Sequence, residues 1–76
     1  MQRLAPELIG EKIKEERVKH GLLQKDLAEM MYMDVSVVNR MEKHGKSVED
    51  LGKLILIANS LGIDVKILVN AGIIDI

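Results

Sequence analysis

The chain has no cysteine, which excludes a disulfide framework and a thiolate metal site. Tryptophan and phenylalanine are also missing, and Tyr32 is the single aromatic residue. No apolar run approaches the roughly 20 residues that span a bilayer. The opening stretch MQRLAPELIGEK lacks the basic-then-apolar layout of a signal peptide, so a soluble, cytoplasmic protein is expected. Gly21, Gly45, Gly52 and Gly62 are isolated and make no phosphate-cradling loop. His20 and His44 stand beside glycines at expected helix ends, where a cation complements the helix dipole, and neither has the partner spacing of a metal ligand. Glu15 and Glu16 adjoin and so point to different azimuths of a helix, not to one catalytic pair. Nothing here composes an enzyme site or points to a cofactor, a metal or a small-molecule ligand.

What remains is aliphatic and charged. Hydrophobic residues make up 47% of the 76 positions and charged residues 30%, a balance that folds and does not stay disordered. One domain spanning 1–76 is expected. The formal net charge is −1. Nucleic-acid binders are usually basic, so binding DNA requires that the charges be segregated by face.

Local signals divide the chain into five helices. Pro6 suits a first helical turn and Glu7 its positive end. The first helix then runs to about Lys19, with Ile9, Ile13 and Arg17 on the inward face, and ends at Gly21. The second covers about Gln24 to Met31 and the third about Val35 to Lys43, followed by a His44-Gly45-Lys46 loop. Ser47 is expected to cap a fourth helix, with Asp50 three residues on and an inward stripe of Leu51, Leu54, Ile55, Ala58 and Leu61. Gly62 stops it. Asp64 caps a short fifth helix, Val65 to Asn70, with Leu68 inward. VKILVN and the tail are β-branched enough to leave a strand open there.

The stretch around which the others are arranged is QKDLAEMMYMDVSVVNRME, residues 24–42. Leu27, Ala28, Met31, Val38 and Met41 fall inward, Tyr32, Met33 and Asp34 break the rhythm, and Asp34 can cap the following helix. Two short helices joined this way over about 24–43 make a helix-turn-helix, whose second helix can enter a DNA major groove.

Those residues carry a resemblance. Ile9 to Leu68 resembles the helix-turn-helix family of the phage Cro and repressor type, also called the xenobiotic-response-element family. The matching pieces are IGEKIKEERVKHGL, QKDLA, RME and ANSLG, in that order. The resemblance implies an all-α, five-helix repressor-like bundle and sequence-specific binding of double-stranded DNA, usually as a two-fold dimer. It also implies a buried ion pair between the first and third helices, at Arg17 and Glu42. A charged side chain on each inward face needs such a partner; the alternative is two solvated surface charges. The sequence departs from the family at Tyr32, where the turn usually has glycine, in its apolar Val35 and Val37 at the head of the third helix, and at Glu16, which takes an inward apolar position.

The expected DNA contacts follow. Gln24 opens the second helix and is the residue the family uses on a phosphate. Ser36 and Arg40 lie four apart and share one face; an arginine fork fits guanine O6 and N7. Val35 or Val37 can pack on a thymine methyl, and Asn39 can meet adenine or a phosphate. Lys43 and Lys46 are candidate phosphate contacts. The rival reading is a protein-interaction module on the same fold, favoured by the neutral charge and the two valines. Ile57, Ile63, Ile67, Val69, Ile73, Ile74 and Ile76 exceed what a core of this size hides. A homodimer through a tail at 63–76, or a tail folded back on its own core, accounts for them.

Overall fold

The computed structural model describes all 76 residues. In chain order it has β1 (Gln2–Leu4), α1 (Pro6–Lys19), α2 (Gln24–Met30), α3 (Val35–His44), α4 (Leu51–Leu61), α5 (Val65–Gly72) and β2 (Ile73–Asp75). The five expected helices are therefore present, and VKILVN is helical. His44 closes α3 instead of opening the loop, and Gly45 follows it in the left-handed conformation. A small ribbon is added: β1 and β2 pair antiparallel, with Arg3 opposite Ile74. The tail is thus folded back on the start of its own chain, and Ala5 N–H donates to the Gly72 carbonyl at 2.6 Å.

One core joins the helices. Ile9 and Ile13 of α1 meet Leu27 and Ala28 of α2, Val38 and Met41 of α3, Leu54, Ile57, Ala58 and Leu61 of α4, and Leu68 of α5. Val48, in the turn between α3 and α4, is fully buried among them. Two glycines set how closely the helices approach. A Cβ on Gly10 would overlap the Met41 carbonyl oxygen, so α1 lies directly on the α3 backbone. Gly45 has φ 67° and also faces the Pro6 carbonyl, so neither its conformation nor its surroundings admit a side chain.

Two expectations for the fourth helix are corrected. Ser47 is not its cap: Ser47 lies in the preceding turn with φ 65°, and the Asp50 carboxylate accepts from the Lys53 N–H at 3.2 Å. The inward stripe is also rotated. Leu51 and Ile55 are exposed, whereas Ile57, counted as surplus apolar surface, is completely buried. This helix is apolar around most of its circumference, so periodicity alone does not select the face that packs.

Candidate nucleic-acid interface

The turn between α2 and α3 is built from local chemistry. Met31 and Met33 pack against the core, while Tyr32 between them is 97% exposed with φ 54°. A non-glycine residue in this region costs about 1–2 kcal/mol, so the turn keeps the backbone path of a glycine turn and carries the strain. The Asp34 carboxylate then accepts from the Ser36 N–H at 2.8 Å and starts α3. The backbone N–H of Ser36, then its hydroxyl, and the nearby charge of Arg40 hold the Asp34 carboxyl below its ordinary pKa.

α3 has two distinct sides. Val38 and Met41 enter the core. Ser36, Asn39, Arg40 and Lys43 are exposed, and their spacing of three, four and seven residues lines them along one outward strip. Lys46 is exposed in the turn beyond. Val35 is exposed at the head of the helix, but Val37 is half-buried against the core, which leaves it less available than its neighbours. From Val35 to Val48 the only acidic residue is Glu42, and it is turned inward.

Glu42 forms the buried pair with Arg17. Their side chains are 2% and 9% exposed, and Arg17 Nε donates to Glu42 Oε2 at 2.7 Å. Arg17 Nη2 reaches Glu42 Oε1 at 3.1 Å, and Nη1 donates to the Leu22 carbonyl at 2.7 Å. One guanidinium thus ties the end of α1, the loop before α2, and α3.

The network extends outward in a way local patterns do not disclose. Gln24 Nε2 donates to Glu42 Oε1 at 3.0 Å, and Asn39 Nδ2 approaches Gln24 Oε1 at 3.4 Å. Gln24 and Asn39 lie fifteen residues apart, so only the fold brings them together. Lys14, absent from the sequence-based site, stands over the same place. A polar cleft of about 210 Å³ is lined by Lys14, Gln24, Asn39, Glu42 and Lys43. The available signal was its position three residues before Arg17, which puts both on neighbouring azimuths of α1.

Glu16 is buried as its inward position implied. Its Oε2 accepts no hydrogen bond, and the Lys19 ammonium stands 4.0 Å away. No helix is long and apolar enough to cross a membrane.

Against known proteins, a helix-turn-helix family model matches residues 13–68. Among solved structures, the restriction-modification controller protein C.AhdI from Aeromonas hydrophila is 28% identical, with a TM-score of 0.76 over 83% of this chain and 94% of that one. The clp gene regulator ClgR from C. glutamicum gives a TM-score of 0.81 over 92% of this chain and 90% of that one. At 20% identity that second likeness is one of fold. A search of curated proteins finds no significant match.

Proposed function

The chain belongs to the helix-turn-helix family of the Cro and repressor type, and on that footing we propose that it is a sequence-specific transcriptional regulator, a repressor that binds a pseudo-palindromic operator as a homodimer. The observation that carries the reading is the bare outward strip of α3, with Ser36, Asn39, Arg40 and Lys43 on one side and no exposed carboxylate within the helix.

In this reading α3 enters the major groove. Arg40 forks onto a guanine, Ser36 meets an adjoining base edge, and Val35 packs on a thymine methyl. Val37 has a smaller share, because the core already holds it. Asn39, Lys43 and Lys46 meet backbone oxygens or base edges beside them. Gln24 donates one amide hydrogen to Glu42 and keeps its second for a phosphate. The net charge of −1 is compatible with this, because Glu42 is neutralised by Arg17 and Asp34, the acid at the head of the strip, is engaged in capping α3.

Two copies meet through the outward apolar side chains of α4 and α5. These are Leu51, Ile55, Leu56 and Ile67, with Ile73 and Ile76 exposed at the tail. Symmetric dimers dominate among small homo-oligomers, and one would place the two α3 helices about 34–36 Å apart, one turn of DNA. Selection of bound sequences from a random duplex pool tests the whole reading. An inverted repeat with half-sites one turn apart is expected; no enrichment would remove it. Sedimentation at micromolar concentration should give twice the chain mass, and a monomer mass would remove the dimer.

The rival, a protein-docking module, draws on the exposed Val35 and Leu23. Binding to random duplex at low salt separates the two. The regulator loses affinity steeply as salt rises, whereas a protein-docking surface shows no such binding.

A further inference from the structure

The cleft at the junction of α1, α2 and α3 has a composition that recognises one chemical group. Its floor is Glu42, whose two oxygens are both committed, Oε2 to Arg17 and Oε1 to Arg17 and Gln24. Its back is formed by the carboxamides of Gln24 and Asn39, each with one amide hydrogen still to donate. Lys14 and Lys43 complete the lining. Neither ammonium has a carboxylate partner, since the ion pairs of the chain involve Lys12, Arg17 and Lys19. The adjoining groove shares Lys14, Glu42 and Lys43 with the cleft and adds Glu11 and Glu15 to its lining, but Glu15 is drawn to Lys12 at 3.1 Å. No apolar side chain lines the cleft, so it offers nothing for a base to stack on. Two unpaired cations and two amide donors around a neutralised carboxylate suit an anion with only acceptor oxygens.

We propose that Lys14 and Lys43 clamp one backbone phosphodiester of DNA in this cleft, which makes α1 part of the interface and Lys14 a DNA contact. This rests on the DNA-binding reading above and deepens it. The clamp is preorganised: the direct packing of Gly10 on the α3 backbone fixes α1 relative to α3, and the Arg17–Glu42–Gln24 network fixes the floor. A phosphate seated there sets the register of α3 in the groove and carries no sequence information.

The test is the salt dependence of binding, read by fluorescence anisotropy with the full chain on a selected duplex and on a random one. Lys14→Gln should lower the slope of log K against log salt by about 0.9 on both duplexes alike, the value of one lost phosphate contact. Its thermal midpoint should match the parent, since Lys14 is exposed. Lys66→Gln, at an exposed lysine of α5 that lines neither the cleft nor the adjoining groove, should leave the slope unchanged. A parent slope retained in Lys14→Gln overturns the clamp and leaves the regulator reading intact. A parent protein that shows no salt-sensitive binding to either duplex overturns both. Inorganic phosphate, titrated at constant ionic strength while the Gln24 and Asn39 side-chain amides are followed by NMR, separates the two sources of the anion. Saturable shifts there, with a DNA slope indifferent to Lys14, assign the cleft to free phosphate and overturn the proposal.

Discussion

Glu42 is the residue on which most depends, because it serves the core and the surface together. Its carboxylate is buried, yet it holds Gln24 and through Gln24 touches Asn39 on the outward strip. Replacing Glu42 by Ala strands the Arg17 charge and should cost about 3–5 kcal/mol, seen as a lower urea midpoint with an unchanged slope. A loss under about 1 kcal/mol would place the pair among ordinary surface ion pairs. The pairing was legible because the family resemblance implied it and a charged side chain on each of two inward faces needs a partner, against the alternative of two solvated charges. Its extension to Gln24 and Asn39 was not, since side chains at such separations meet only through tertiary packing. Asp34 gives a pH signature at the same scale. Its carboxyl titrates below the ordinary value when folded, so the unfolded chain takes up the proton first. The stabilisation is therefore complete above the ordinary carboxylate range and fades as pH falls through the folded value. Asp34→Asn keeps a capping oxygen without the charge, so the stability gap between parent and variant should shrink below about pH 4. A gap that stays constant through that range contradicts the assignment.

At the scale of elements, the helix-turn-helix was readable because its signals agree: inward Leu27, Ala28, Val38 and Met41, a break at Tyr32 to Asp34, and a capping aspartate. The left-handed turn was implied by the family's glycine, and Tyr32 adopts it against its own preference. Tyr32→Gly should therefore raise stability by about 0.5–1 kcal/mol, the strain removed less the added flexibility of glycine in the unfolded chain. Equilibrium unfolding checks it, and a destabilised variant would mean the Tyr32 ring makes a contact that outweighs its backbone. α4 was read less well. Ser47 and Asp50 are both capping residues, and only the buried position of Val48 decides that the chain first turns inward and starts the helix at Leu51. The face of α4 was ambiguous for a simpler reason: Leu51, Leu54, Ile55, Leu56, Ile57 and Leu61 surround it, so the neighbours choose which of them pack. Of the β1–β2 ribbon only the β-branched tail was open to a strand reading; β1 and the pairing were not legible, because each strand has three residues, too few for alternation to register, and the partners lie at opposite ends of the chain.

For the whole molecule, the arrangement separates two surfaces. The α3 strip and the cleft beside it are polar and positively charged, and the outer side of α4 and α5 is aliphatic. Under the proposed function the first faces DNA and the second a like copy. The separation explains how a chain of net charge −1 can present a basic face: Glu42 is paired inside, Asp34 is engaged in capping α3, and other acids, such as Glu7, Glu49 and Asp75, lie outside α3. The sharpest measurement is the discrimination between a selected duplex and its scrambled counterpart, for the parent chain and for Arg40→Ala. The account predicts that Arg40→Ala loses about 1–3 kcal/mol of that discrimination while the protein stays folded. An unchanged ratio between the two duplexes would contradict the reading of α3 as the element that recognises sequence.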